Sequence, residues 1–370
     1  MNLPPLQCRS CGREFDVAEL VWRCACGGLL DVTRTWRPTA QSVLPVPVGR
    51  SITLGEGNTP MIPSQTLPSV RFKLEFLSPT LSFKDRGAVV LAALAAELRV
   101  GRAVVDSSGN AGTAAAAYFA RAGIDCEVLV PASTSPEKLA QIRAHGATLT
   151  LVPGSRADTA AAAMDIAALP GMFYASHVYH PYFMHGVKTY GYEIWQQNGR
   201  RLPSGVLVPV GNGTLLLGCY LAFAELVAAG LADRMPALFA VQAAGCAPLA
   251  AVWEGAVWEG AVWEGTEYAA APTVAEGIAI TAPPRAEQIL AAVRACGGTI
   301  VTVDDDAIVA GRHALAREGL FVEPTAAVCY AAAVAAPGRS ESNWRRLNDF
   351  LAGGDMVLPL CGAGLKHPGD

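Results

Sequence analysis

A single lysine stands where an extended run gives way to a helical one. Ser82-Phe83-Lys84-Asp85-Arg86-Gly87 follows Arg71–Phe76, whose alternation suits a strand, and precedes Ala88–Leu98, rich in Ala and Leu. Ser82 and Asp85 have the spacing of a capping box, which predicts a helix starting here. Lys84 then lies in the first turn, where the positive end of the helix dipole disfavours a cation. Partial burial acts in the same direction and favours the free amine. Such an amine can form a Schiff base with a carbonyl carbon. A structural lysine at a helix start is the plainer alternative, and this stretch alone leaves both readings open.

Two further loops carry groups that suit anions. Ser107-Ser108-Gly109-Asn110-Ala111-Gly112 is a small-residue turn feeding a helix, and its backbone N–H groups suit a carboxylate. Gly211-Asn212-Gly213-Thr214 lies again between a strand and a helix and suits a phosphate. Glycine-rich turns of this kind are common, so each alone says little. An activated lysine, a carboxylate nest and a phosphate nest together are what an amino-acid enzyme using pyridoxal phosphate needs.

A different chemistry opens the chain. Cys8 and Cys11 are followed about a dozen residues later by Cys24 and Cys26, with glycines after each pair. This spacing reads as a zinc ribbon, four thiolates around a tetrahedral Zn²⁺, with a structural role because no coordination position is left open. The single spacer between Cys24 and Cys26 departs from the usual knuckle, and four reduced, unligated cysteines are the alternative. Cys126, Cys219, Cys246, Cys296 and Cys329 fall in apolar surroundings and read as core residues. His177, His180 and His185 have no common ligand spacing and no nearby carboxylate, so packing or one substrate-facing imidazole is expected rather than metal. Asp304-Asp305-Asp306 precedes a helical run and reads as its N-terminal cap.

The elements that must position these residues alternate. Short apolar strands are expected at 103–106, 126–130, 147–152, 171–175, 206–210, 238–242, 300–303 and 356–360, with helices at 113–122, 135–145, 156–169, 187–198, 215–229 and 307–317. Strands buried on both faces and alternating with helices imply parallel α/β sheets, in which ligands bind beyond the C-terminal strand ends. Residues 35–68 are proline-rich and read as a connector. Ala251-Val252-Trp253-Glu254-Gly255 recurs as residues 256–260 and 261–265, which reads as an expanded surface loop, with a tryptophan-bearing lid as the alternative. With 52% hydrophobic and 16% charged residues, a large core is expected and disorder is not. The net charge of −4 argues against non-specific nucleic-acid binding. The apolar runs are too short to cross a membrane, and no signal peptide is evident at Met1–Pro5, so a reducing cytoplasmic setting is expected.

The order of motifs 82–87, 107–112, Pro209–Thr214 and Cys361-Gly362-Ala363-Gly364-Leu365-Lys366-His367-Pro368 resembles the tryptophan-synthase-β type of pyridoxal-phosphate enzymes, and within it threonine synthase and its relatives. The resemblance covers nearly the whole chain and includes the N-terminal cysteines. It implies a two-lobed fold type II α/β architecture, parallel sheets flanked by helices, with a zinc-ribbon-like appendage at 1–34. Residues 35–370 would form the catalytic core, of which about 100–185 would be the smaller, mobile lobe. The resemblance also implies roles. Lys84 forms the Schiff base with the cofactor and shuttles protons at Cα. Phe83 lies against the cofactor, and Asn110 bonds its 3-hydroxyl. Ser107, Ser108, Gly109, Asn110 and Ala111 receive the substrate carboxylate. Gly211, Asn212, Gly213 and Thr214 bind the cofactor phosphate, and Cys361 faces the pyridine nitrogen. A homodimer is expected as well.

Departures from the family pattern bear on substrate. Threonine synthases usually carry Asn-Pro-x-Arg-x-x-Gly, whose arginine grips the phosphate of O-phosphohomoserine. Here His180–Gly186 corresponds, and Phe183 replaces the arginine. Phenylalanine cannot make the bidentate bonds that arginine makes to phosphate. Ala111 stands in place of the usual threonine, a pattern that with Cys361 is also similar to serine and threonine dehydratases. A neutral thiol, of pKa near ~8.5, cannot hold the pyridine nitrogen protonated as a carboxylate would. This should favour elimination and replacement over transamination. The expected activity is therefore elimination or replacement at Cβ or Cγ of a small amino acid, threonine synthase-like but with a substrate other than simple O-phosphohomoserine. A dehydratase-type ammonia-lyase, a β-replacement synthase and an inactive binding protein are the alternatives. Phe183, His177 and His180 are the candidate substrate contacts, and Lys188 is a spare cation.

Overall fold

Short buried runs of Val, Leu and Ala alternate with Ala-rich runs along most of the chain, the pattern that builds parallel sheets covered by helices. The computed structural model describes residues 3–33, 37–38, 42–255 and 270–366. The chain divides into two compact units, Met1–Gly57 with Ser78–Thr189 and Asn58–Leu77 with Tyr190–Asp370.

The first unit opens with three short antiparallel strands, β1 (Leu6–Cys8), β2 (Glu14–Phe15) and β3 (Leu30–Val32), in the order β2-β1-β3. β4 (Met61–Pro63) and β5 (Val70–Lys73) go to the second unit, and the chain returns with α1 (Asp85–Glu97). Then β6 (Arg102–Val105), α2 (Asn110–Ala122), β7 (Asp125–Pro131), α3 (Pro136–Ala144), β8 (Thr148–Val152), α4 (Arg156–Ala167), β9 (Met172–Tyr174) and α5 (Pro181–Val187) follow. The four strands pair in parallel, in the order β8-β7-β6-β9. Val104, Leu129, Ala163, Met172 and Tyr174 form a buried cluster, and Trp22 from the N-terminal segment packs against it.

The second unit continues with α6 (Thr189–Gln197), β10 (Gly205–Pro209), α7 (Thr214–Ala228), β11 (Ala237–Ala243) and α8 (Pro248–Trp253). α9 (Ala286–Ala295), β12 (Ile300–Val303), α10 (Asp305–Arg317), α11 (Pro324–Ala335), α12 (Ser342–Gly353) and β13 (Met356–Pro359) complete it. Its sheet has the order β12-β11-β10-β13-β5-β4, parallel except for β4 against β5. β10 and β11 are buried along their whole length, as central strands covered on both faces should be. Among the described residues no helix is long and apolar enough to cross a membrane.

Several local expectations need correction. Ser82 and Asp85 form no capping box: α1 has no side-chain cap, and Asp85 instead accepts bonds from the Thr80 N–H (2.7 Å) and hydroxyl. The Asp85 carboxylate is thereby spent on the turn before the helix. The helix expected over 187–198 is two helices, α5 and α6, flanking Lys188. Pro181 starts α5 early, because a proline in the first turn forfeits no helical bond. The Thr189 hydroxyl takes the Gly186 carbonyl, an acceptor the next turn would have used (2.8 Å). The 251–255 copy of the tandem repeat is not simply loop, since Ala251–Trp253 end α8 and Trp253 lies under the Arg294 guanidinium. The further copies, 256–265, lie outside the described residues.

Candidate active site and cysteine cluster

Lys84 is the N-cap residue of α1, with helical φ and ψ of −61° and −24°. Its ammonium lies 4.8 Å from the Phe83 ring centroid and 5.8 Å from that of Phe183. Phe183 comes from α5, and α1 and α5 can meet closely because glycines face each other's helix. A Cβ on Gly87 would lie 2.5 Å from the Phe183 ring, and one on Gly186 would run into the Arg86 carbonyl oxygen. Arg86, itself buried, bonds the Thr189 hydroxyl (3.0 Å) at the end of α5. The lysine is therefore mounted on a helix pair whose spacing is set by backbone contact. His177 meets Phe183 edge-on at 5.9 Å. Burial, and then the positive charges of Lys84 and Arg156, push the His177 imidazole well below its ordinary value, so it is neutral at neutral pH.

The Ser107–Gly112 loop leaves the C-terminal end of β6 and enters α2, whose N-cap, Gly109, supplies no side-chain bond. The first N–H groups of α2 are thus not capped by a side chain, as an anion site requires. Ser107, Ser108 and Asn110 are half-buried, Gly109 is exposed and Ala111 is buried. Immediately upstream, buried Asp106 accepts from the Tyr174 hydroxyl (2.8 Å) and from Arg156 (2.6 Å). His180, the N-cap residue of α5, has its ring against Phe173 at 5.1 Å and Tyr182 at 5.7 Å, and its main-chain oxygen accepts from the Phe183 N–H (3.1 Å). Lys188, the spare cation of the sequence, is fully buried beside α5, as interior as the core around it.

The second unit holds the other loops. Gly211–Gly213 join β10 to α7, whose N-cap Gly213 has φ 72° and supplies no side-chain cap. A Cβ on Gly211 would lie 2.8 Å from the Ile278 Cα, and one on Gly213 would collide with Ile289. Both glycines are therefore held to bare backbone, in a loop feeding a fifteen-residue helix. Cys361 follows β13 and is buried, with its Sγ 3.9 Å from the Pro359 oxygen.

The model of a family described as "Pyridoxal-phosphate dependent enzyme" matches residues 52–361. The chain belongs to this family. Among curated relatives, threonine synthase of Methanosarcina acetivorans is 33% identical over 350 residues, covering 88% of this chain and 85% of that protein. Threonine synthase of Mycobacterium leprae is 35% identical over 335 residues, covering 87% and 86%. Among solved structures, a T.th. threonine deaminase aligns with a TM-score of 0.65 at 25% identity, covering 83% of this chain and 92% of that one. Maize serine racemase aligns at 0.67 and 20% identity, covering 83% and 88%. The expected threonine synthase-like, fold type II architecture is therefore borne out.

For a pyridoxal-phosphate dependent enzyme the residues present fit the cofactor. In the Gly211–Thr214 turn the glycines let the backbone pack against Ile278 and Ile289, and the uncapped N-terminus of α7 there suits a phosphate group. Lys84 offers an amine beside aromatic faces. One group in the second unit escaped sequence reading. Glu323, buried, has its carboxylate within 2.5 Å of where a Gly362 Cβ would be, next to Cys361, and its N–H bonds the Gly362 oxygen (3.0 Å). A Glu-Pro pair opening the apolar α11 was the available signal. In the first unit, buried Ser82 Oγ finds no hydrogen-bond partner among the described residues.

The four N-terminal cysteines converge as their spacing implied. Cys8 and Cys26 Sγ are 3.5 Å apart, Cys11 and Cys24 are 3.7 Å apart, and all four atoms lie within 4.8 Å of one another. A tetrahedral Zn²⁺ with bonds of about 2.3 Å needs sulfurs about 3.8 Å apart, so the set fits the metal. A Cβ on Gly28 would lie 2.5 Å from Cys8 Sγ, which explains the glycine. Burial raises the Cys8 thiol, but the Cys11 and Ser10 N–H groups, together with the Cys26 and Cys11 thiols, outweigh it and hold Cys8 at about 6. Cys126, Cys219, Cys246, Cys296 and Cys329 are buried, as expected of core thiols, and burial pushes Cys126 and Cys296 up to about 12.

Proposed function

We propose that this chain catalyses a pyridoxal-phosphate dependent elimination or replacement at Cβ or Cγ of a small amino acid, with Lys84 as the residue that bonds the cofactor. The observation that carries the reading is the setting of Lys84, at the start of α1 between the Phe83 and Phe183 rings, within the matched family region. Pyridoxal phosphate, when bound, draws electrons from the substrate's Cα and acidifies the proton there. Gly211–Thr214 would hold the cofactor phosphate, Asn110 its ring hydroxyl, and Cys361 would face its ring nitrogen. Ser107–Ala111 would hold the substrate carboxylate through backbone N–H groups. Lys84, once released by the incoming substrate, would take the Cα proton as general base. Neutral His177 and the Phe183 ring would line the side-chain end of the substrate without adding charge. Cys8, Cys11, Cys24 and Cys26 would hold a structural Zn²⁺.

The relatives are threonine synthases, yet Phe183 removes the usual arginine grip on a phosphate, which favours a different substrate or a different mode of binding it. A dehydratase reaction releasing ammonia is the second reading, supported by Ala111 and by the likeness to threonine deaminase at 25% identity.

Borohydride reduction of the holoenzyme followed by peptide mass mapping tests the first claim. A pyridoxyl group on the Lys84 peptide is expected. Label elsewhere, or a Lys84→Ala protein that keeps the visible absorbance and turnover, would overturn it. Assaying phosphate, ammonia and keto acid over O-substituted serines and homoserines then separates replacement from deamination.

A further inference from the structure

Beside the Ser107–Gly112 loop lies a cation to which no role has been given. Arg156 is the first residue of α4, whose start is fixed by a reciprocal capping box between Ser155 and Asp158. Its Nη2 donates to the Asp106 main-chain oxygen and to the Asp106 carboxylate, both at 2.6 Å. Asp106 is buried and further held by the Tyr174 hydroxyl, so the guanidinium is anchored to the end of β6, one residue before the loop. Both Nη2 hydrogens are then used. Nε and Nη1 make no hydrogen bond to any described residue, which leaves three of the five N–H donors available. The side chain remains 49% exposed.

A surface arginine merely closing an ion pair would be unremarkable. This one differs in what stands next to it. The His177 imidazole lies within electrostatic reach of both Arg156 and Lys84, and is neutral. His177 in turn touches Phe183, which touches Lys84. Arg156 therefore shares a neighbourhood with the lysine, and His177, within reach of both, is uncharged. A fixed guanidinium with free donors, anchored one residue before a loop whose helix start has no side-chain cap, is suited to an oxyanion.

We propose that Arg156 is a specificity-determining residue that receives an oxyanion, phosphate or carboxylate, carried on the side chain of the amino-acid substrate. The proposal rests on the reading of Lys84 given above. Asp106 is the positioning residue, holding the fork so that its free edge is presented. His177, being neutral, neither competes for the anion nor repels Arg156.

The test compares holoenzyme with Arg156→Gln and Arg156→Lys on three substrates: O-phosphohomoserine, O-succinylhomoserine and the uncharged O-acetylhomoserine. Binding of inorganic phosphate to each holoenzyme, whose cofactor-phosphate loop is already filled, is measured by calorimetry. R156Q is expected to raise KM for at least one anionic substrate more than tenfold while leaving the acetyl ester within about twofold. It should weaken phosphate binding by a similar factor, with R156K recovering part of either loss. Which anionic ester responds distinguishes phosphate from carboxylate. Equal changes across all three substrates, or unchanged KM and phosphate affinity, would overturn the proposal. If R156Q does not fold, R156K decides by the same ratio, because it keeps the charge and loses the fork. If no substrate turns over, phosphate binding alone decides. Failure of the Lys84 reading shows separately, as absence of the borohydride label.

Discussion

The Tyr182 hydroxyl donates a 2.9 Å hydrogen bond to the main-chain oxygen of Pro4, and both residues are buried. Tyr182 belongs to α5 and Pro4 precedes β1, so the cysteine-bearing segment is tied to the helix that carries Phe183. Trp22 makes a second tie, edge-on to Tyr174 at 5.3 Å, and Tyr174 bonds Asp106. Two of the groups around Lys84 and its loop are thus held from the N-terminal side.

Tyr182→Phe isolates the first tie. It removes one buried hydrogen bond and leaves the Pro4 oxygen without that donor, a cost of about 1–2 kcal/mol. Denaturant unfolding should show that loss. An unchanged midpoint would mean that Pro4 finds another partner at no cost.

Metal content is the next expectation. Purified protein should carry one zinc per chain by elemental analysis, and Cys11→Ser should lose it. Because a structural site contributes folding free energy directly, the variant should unfold at lower temperature and its N-terminal segment should be cleaved first by protease. Zinc-free protein with wild-type melting and protease resistance would refute a structural role for the cluster.

Gly186→Ala should destabilise strongly. The added Cβ meets the Arg86 main-chain oxygen, not a movable side chain. Overpacking typically costs about 1–3 kcal/mol, and an immobile neighbour places the change at or above that range. The lysine's helix would shift, so cofactor affinity, read by absorbance titration, should fall together with stability.

Acid should weaken the fold through His185. Burial, and then the charge of Lys188, hold its imidazole well below the ordinary value. The unfolded chain has the ordinary value, near ~6.5, and so binds the proton first. The stability due to the neutral folded form is fully present above that pH. It is lost as pH falls toward the folded value, at about 1.4 kcal/mol per pH unit within that window. Melting temperature should decline between pH 7 and pH 5, and His185→Gln should flatten the slope. An equally steep decline in the variant would assign the effect to other groups.

Much of this arrangement was legible in the sequence. The alternation of buried strands and helices located most of the sheet strands to within a residue or two, because central parallel strands are continuously apolar and short. The cysteine spacing located the cluster, since ligands must converge whatever the intervening fold. α11 left no periodic trace because it is apolar nearly all round, and a helix buried on every side has no amphipathic stripe to read. The Ser82–Asp85 capping box failed because Thr80 offered Asp85 two donors on the same side of the turn. Arg156 could be seen as a charge but not as a neighbour of His177, since that depends on how β6, β9 and α4 come together.

The two contacts between α1 and α5 differ in what evolution or an engineer could do with them. Gly186 faces main chain, so no second-site change can make room for a larger residue there. Gly87 faces the Phe183 ring. A larger residue at 87 can be traded against a smaller one at 183, keeping the total volume constant. A position that departs from the threonine synthase pattern is thus also one at which the lysine's surroundings can be reshaped by paired substitution.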